Sequence, residues 1–319
     1  MNAMQKKMRN NSYKLLLLLV LAVMVAVLSV ISPYFFSWKN CLNILNQSAI
    51  QMILSIGMTF VICSAGIDLS IGALMAFSAV IMSFCLKAGA PSGLSILAGV
   101  AAAGVVGLFN GAIVARARVN SFIVTLSMMS ILRGGTVLLT DGRPIYGFEA
   151  SFTFWGSSTI FGVGMPVILA LTLTAAAWIL LERTRFGNYC LFLGSNEKAL
   201  HRSGINTDKY KMLIFGLSGI CAGMAGFIMT ARLNSADPLA GSGYEMDAIA
   251  AVILGGTLMQ GGKGSIGGTV LGCLILNVMK NGLTMLAISS NYQQLLTGLI
   301  VLVSVIISEK NRRKKEAAG

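Results

Sequence analysis

Charge is scarce in this chain, histidine occurs once and proline five times. Only 11% of the 319 residues are charged, against about 25% in a soluble domain. No stretch therefore has the composition of a water-facing surface. The single histidine, His201, excludes a two-histidine metal pair. Because it falls among Lys198 and Arg202 of a polar interval, it also excludes a Ser–His protease within the membrane. Neither H-E-x-x-H nor G-x-S-x-G occurs, so no enzymatic site is visible and no metal is expected. Six cysteines (Cys41, Cys63, Cys85, Cys190, Cys221, Cys273) form no C-x-x-C pair and read as packed free thiols.

What is present is apolar length. Leu15 to Ser32 runs for 18 residues without a charge; at the rise of an α-helix that is roughly 27 Å, a hydrocarbon core's thickness. Backbone groups in lipid must be satisfied within the span, so such runs are helices and not barrel strands. The fold class expected is all-α, a polytopic transmembrane protein of about ten spans. These fall near 15–36, 48–66, 69–87, 93–115, 119–140, 163–181, 212–231, 247–262, 265–284 and 291–308. All five prolines (Pro33, Pro91, Pro144, Pro166, Pro238) sit at or near span ends, where they disturb least. The pieces near Gly66–Ser70 and Gly255–Gly268 are candidates for broken or re-entrant segments. The organisation expected is a tail over 1–14, one transmembrane domain over 15–308 and a basic tail over 309–319. The basic start before the first span resembles a signal peptide, yet the run is long and no A-x-A site follows, so a retained helix is expected.

A net charge of +13 in a soluble protein would point to nucleic acid. Here it is explained by topology, since short cytoplasmic loops collect Lys and Arg. With the N-terminus inside, eighteen of the 24 lysines and arginines fall in inside intervals. Only Lys39, Lys87, Arg143 and Arg232 fall outside, and Arg133 and Lys280 lie within spans. Both termini are thus expected in the cytoplasm, with no nucleic-acid partner. Spans two to five and seven to ten have similar lengths, and each set holds an Asn-Gly pair near a span end (Asn110-Gly111, Asn281-Gly282). One span between the sets would make them an inverted repeat, a common plan among transporters.

Charges beside apolar runs are the sharper signal. A carboxylate at the bilayer centre costs about 2.5–3.5 kcal/mol, so Asp68 needs a partner, a cavity or an interface. It is either a helix cap at a turn or part of a pathway, and both readings stand. Glu245 and Asp247 open the eighth span; Arg133 and Lys280 either pair with carboxylates or snorkel. Candidates for a pathway or gate are Asp68, Ser70, Arg133, Glu245, Asp247 and Asn277. Gly255–Ser265 superficially resembles a phosphate loop but lacks the Ser or Thr after Lys263 and the first glycine, so ATP is not bound by this route. Glycines in spans instead let helix backbones approach, as in Gly264-x-x-x-Gly268-x-x-x-Gly272, Gly107-x-x-x-Gly111 and Gly219-x-x-x-Gly223. The interval 182–211 carries both signs and an amphipathic piece, Asn196–Ile205, suited either to a solvated connector or to docking a soluble partner.

These stretches resemble the membrane subunit of bacterial ABC sugar importers of the ribose type. The resemblance rests on Gly57-Met58-Thr59-Phe60-Val61-Ile62 with Gly66-Ile67-Asp68-Leu69-Ser70-Ile71-Gly72, and on Phe122–Leu126 with Leu132-Arg133-Gly134. It continues through Thr184-Arg185-Phe186-Gly187, Gly194-Ser195-Asn196-Glu197 and Ser203–Asn206, and is strongest over Ala240–Gly256. Met259 and Gln260 depart from the small residues usual there, and the Phe- and Trp-rich interval Gly147–Gly164 has no match. An interfacial aromatic belt or a contact with a binding protein would explain that interval.

The resemblance implies a permease of paired subunits, identical or closely similar, carrying a monosaccharide or similar polyol. It implies an ABC ATPase partner docked below, which binds ATP and Mg²⁺, so that this chain holds no cofactor. A periplasmic or lipid-anchored sugar-binding protein would deliver substrate above. Asp68, Glu245 and Asp247 would shape the gate or its hinges. Gly194, Asn196, Glu197, Ala199, Gly204 and Ile205 would form the loop coupled to the ATPase. The alternatives are an ion-coupled secondary transporter acting without an ATPase, which would need more buried carboxylates, and a membrane scaffold without transport.

Overall fold

The computed structural model describes residues 3–316. Residues 1–2 and 317–319, which begin and end the two expected tails, lie outside the described residues, as do the side chains of the basic clusters in those tails. The described residues form twelve helices. They are α1 (Ala3–Ile31), α2 (Trp38–Cys63), α3 (Ile71–Lys87), α4 (Ser92–Arg116), α5 (Ser121–Thr140), α6 (Ala150–Ser157), α7 (Met165–Arg183), α8 (Arg185–Arg202), α9 (Thr207–Leu233), α10 (Tyr244–Leu254), α11 (Ile266–Met285) and α12 (Ser290–Glu316). Seven of these, α1, α2, α4, α5, α7, α9 and α11, are long and apolar enough to cross a membrane. Four two-residue strands qualify the all-α expectation. β1 (Ile145–Tyr146) pairs antiparallel with β4 (Ser235–Ala236), and β2 (Thr159–Ile160) with β3 (Val163–Gly164).

α2 and α9 form the centre. α2 is buried without interruption from Ser48 to Cys63, whereas α1 shows most of its leucines and valines to the surroundings. Lipid tails are as apolar as leucine, so burial of carbon does not drive these helices together; close packing does. The α4–α9 contact is built on that basis. A β-carbon at Gly107 or Gly111 would run into the backbone of Phe215 or Met212, and one at Gly219 or Gly223 into that of Ala103 or Val100. α11 meets α10 in the same way through Gly268 on Gly255 and Gly272 on Ala251, while Gly264 lies against Cys63.

Two short helices interrupt the bundle. α2 ends where Ala65 takes a left-handed conformation (φ 62°), and the chain passes through Gly66 to α3. The expected eighth span over 247–262 is a helix of only 11 residues, α10. Past it Gly256, Gly261 and Gly262 all adopt positive φ (86°, 81° and 76°), a conformation open to glycine at little cost. α3 packs on α4, α5 and α9, and α10 packs on α11, α12 and α2. The same set of neighbours thus recurs about each short helix when α2–α5 are matched to α9–α12.

Three sequence expectations are revised. α2 begins at Trp38 instead of near 48, because Ser37 caps it by accepting the Asn40 amide (3.3 Å). Its first turn is anchored too: Asn40 and Asn281 exchange two side-chain amide bonds of 2.9 Å each. The interval 182–211 is mostly helical, with α8 kinked at Asn196 (φ −162°, ψ 89°). In the aromatic interval Phe152 is buried, edge-on to Phe148 and Phe227, so it belongs to the core; Phe154 and Phe161 remain exposed.

Candidate functional site

A polar cavity of about 370 Å³ opens between α2, α9, α10, α11 and α12. α2 contributes Gln47 and Gln51 at helical spacing, so both face one side. α11 presents Asn277, Lys280 and Thr284, again along one face. Tyr244 and Asp247 enter from the first turn of α10, Arg232 from the end of α9 and Gln293 from α12. Lys280 donates to the Asp247 carboxylate, in an ion pair whose side chains are 28% and 12% exposed. Gln51 holds the Tyr244 carbonyl (3.3 Å) and so fixes the start of α10 against α2. The cavity therefore offers carbonyl and carboxylate acceptors, amide and cationic donors and one phenol ring.

Of the residues singled out from the sequence, Asp247, Asn277 and Lys280 line this cavity. Asn277 also donates to the Cys273 carbonyl (2.9 Å), which orients its amide. Arg133 and Glu245 stand behind the wall. Arg133, from α5, donates to the carbonyls of Ala240 (2.5 Å) and Pro238 (3.4 Å). It thereby clamps the loop that leads into α10. Glu245 accepts from its own first turn at Gly243 (3.2 Å) and feels the charge of Arg133. Its other oxygen is buried against Gly72 with no hydrogen bond among the described residues.

Asp68 and Ser70 are not in the cavity lining. Asp68 is wholly buried at the break between α2 and α3. One carboxylate oxygen accepts from the Ser70 amide (3.0 Å) and hydroxyl (2.6 Å), the other from the Ser218 hydroxyl (2.8 Å) of α9. Asn110 of α4 donates to Ser70 (3.1 Å), and Thr125 and Ser121 of α5 receive the amides of Leu69 and Ile67 (3.1 Å each). Ser218 is eleven residues into α9, about 16 Å along it. The break is thus pinned by three helices within the thickness of the bundle. Asp68 holds Ser70, the residue from which α3 starts, and does so deep inside and not at a surface turn.

A third cluster joins α8 to α2. Gly194 lies so close to the Cys63 carbonyl and the Gly262 amide that a β-carbon has no room, and Gly262 donates to Cys63 (2.9 Å). Asn196, at the kink, accepts the Ala199 amide (2.9 Å) and starts the second half of α8. Glu197 pairs with Lys211 at 2.7 Å. Ala199 is exposed, Ile205 half-buried, and Gly204 ends the helix with φ 82°. Gln47, Gln51, Tyr244, Arg232, Thr284 and Gln293 were not among the sequence candidates. The legible signal was polar residues recurring every three or four positions within α2 and α11.

These features define a multi-pass helical membrane protein with an open polar cavity lined by its helices. The family model described as "Branched-chain amino acid transport system / permease component" matches residues 40–305. The chain belongs to that family and is a permease component of the bacterial cytoplasmic membrane. It is 42% identical over 299 residues to the ribose import permease protein of Escherichia coli K12, covering 92% of this chain and 93% of the relative. It is 40% identical over 292 residues to that of Bacillus subtilis 168, covering 91% of each. The D-allose transport system permease protein of E. coli K12 is 37% identical over 290 residues, covering 90% of this chain and 89% of the relative. No solved structure matches.

Proposed function

We propose that this chain is the membrane subunit of an ABC importer for a monosaccharide of the ribose kind, moved inward by ATP hydrolysis in a partner ATPase. The polar cavity carries the reading: at about 370 Å³ it falls within the range of small-molecule sites. Its mixture of acceptors, donors and an aromatic ring suits a neutral polyol, whose hydroxyls need both. The names of the relatives, ribose and allose permeases, support the same class of cargo.

In this reading the seven long helices together with α3, α10 and α12 make ten crossings, with both termini in the cytoplasm. The matched neighbours of α3 and α10 support an inverted repeat of α2–α5 and α9–α12. Two copies, or this chain and a close paralogue, form the importer, and a periplasmic or lipid-anchored binding protein loads it. The kinked helix α8 takes the ATPase stroke and passes it through Gly194 to Cys63 of α2 and to the glycine loop after α10. ATP and Mg²⁺ belong to the partner.

The test is reconstitution in liposomes with the partner ATPase and binding protein. Ribose should enter only with ATP present and all three components in place. Accumulation by this chain alone, driven by an ion gradient, would instead establish a secondary transporter.

A further inference from the structure

Away from the polar cavity, the membrane-facing side of α4 and α9 is hollowed by an apolar groove of about 490 Å³. Val105 and Leu108 of α4, Leu213 and Ile220 of α9, Leu180 of α7 and Phe186 of α8 wall it. Gly104 and Gly216 also line it, and against them the Ile220 and Leu108 side chains pack directly on backbone. Its walls are open to the surroundings: Val105 is 63% and Ile220 44% exposed. A groove of this kind in a bilayer fills with a lipid chain; which lipid is decided by what stands at its end.

At that end every wall finishes in a cation. Arg183 follows Leu180 by three residues and Lys209 precedes Leu213 by four, so each shares the face of its groove residue one turn further on. Arg116 follows Val105 by eleven residues, three turns, which returns it to the same face. Arg185 is next to Phe186. All four are exposed, and none belongs to the ion pairs of the described residues, Lys211–Glu197 and Lys280–Asp247. Arg183 is held over the Trp178 ring, 5.6 Å from its centroid; Trp178 is two residues from Leu180 and faces away from the groove, which leaves the rim to Lys209, Arg185 and Arg116. The acids in these intervals, Glu182 and Asp208, are two residues from Leu180 and five from Leu213, so they point away from the groove face.

We propose that this groove binds one anionic glycerophospholipid of the inner leaflet, with an acyl chain between α4 and α9 and its phosphate on Lys209, Arg185 and Arg116. Basic pockets between helix ends on the cytoplasmic side are suited to such head groups. The placement in the inner leaflet rests on the orientation given above, but the binding itself does not depend on what the chain transports. The site lies where α7 hands over to α8 and α8 to α9, so an occupied groove would brace the helix that meets the ATPase.

The experiment is native mass spectrometry of the full-length chain in detergent. It is titrated with phosphatidylglycerol and, separately, with phosphatidylcholine of the same acyl chains. The unaltered chain should retain the first lipid at least tenfold more strongly. Arg116→Gln combined with Lys209→Gln, two exposed changes, should bring the two lipids to near parity, and Val105→Trp should release both. Equal retention by the unaltered chain, or a preference that survives the double change, would overturn the site. So would a thiol crosslink between copies in native membranes that appears only with Val105→Cys, because a second copy would then cover the groove. None of these readouts involves sugar, so a failed transport test and a failed lipid test are told apart.

Discussion

Lys280 of α11 reaches across to the carboxylate of Asp247 on α10, and the pair stands in the wall of the polar cavity. Removing one partner leaves the other charge half-enclosed, which is costly in a low-dielectric site. Each of Asp247→Asn and Lys280→Met should therefore destabilise the chain by about 1–3 kcal/mol. The two together should cost less than the sum, a coupling a double-mutant cycle reads directly. Thermal unfolding in detergent gives the energies. Uptake in the reconstituted complex should lose affinity for sugar with either change, since both side chains also face the cavity.

Gly194 tests the path from α8 to α2. Its neighbours are backbone groups, the Cys63 carbonyl and the Gly262 amide, which cannot rotate aside as a side chain can. Gly194→Val should push α8 away and lower sugar-stimulated ATP hydrolysis in the complex at least tenfold. Gly93→Val is the control, because nothing lies within 4 Å of a β-carbon there. If bulky changes at Gly194 and Asn196 left stimulation intact, coupling would run elsewhere.

Asp68 separates a structural from a transport role. Its carboxylate serves three donors. In Asp68→Asn the carbonyl oxygen still serves Ser70, and the Ser218 hydroxyl can turn to accept from the new amide. That change should cost only about 1 kcal/mol, the net worth of one hydrogen bond. Asp68→Leu strands all three donors and should cost about 3 kcal/mol or more. Equilibrium unfolding ranks the two. Should Asp68→Asn keep its stability yet abolish uptake, the negative charge itself would be part of transport.

Much of the bundle was legible because charge gaps mark spans whatever the packing. The gaps around α4, α5, α7, α9 and α11 place these helices within a few residues. The start of α2 was hidden by its own chemistry: Asn40, Asn43, Asn46 and Gln47 read as a loop until Asn40 is seen to bond Asn281 and Gln47 to line the cavity. Span eight was misjudged in length because hydropathy registers composition and not φ, and the glycines after Leu254 are apolar by count yet turn the chain. Asp247 and Asn277 were visible as polar interruptions. Gln51 was legible only as a polar residue at helical spacing from Gln47, and Tyr244 was not, since only the fold shows that α2 and α10 converge.

The α4–α9 contact offers the last prediction. With no hydrophobic effect to gather them in lipid, these helices depend on backbone approach, and Gly107 and Gly219 are where the approach is closest. Gly107→Ala places a methyl group against the Phe215 carbonyl and Gly219→Ala one against the Ala103 carbonyl. Both clash with backbone, so each should cost about 1–3 kcal/mol through overpacking. The two changes pry apart the same pair of helices. Once the first has opened the gap the second finds room, and the combined loss should fall short of the sum. Gly134→Ala on α5 meets nothing within 4 Å; it should be neutral or add up to about 1 kcal/mol through helix propensity. Unfolding in a graded detergent titration would show this order. Equal losses at Gly107 and Gly134 would mean that propensity, and not contact, sets the stability of the bundle.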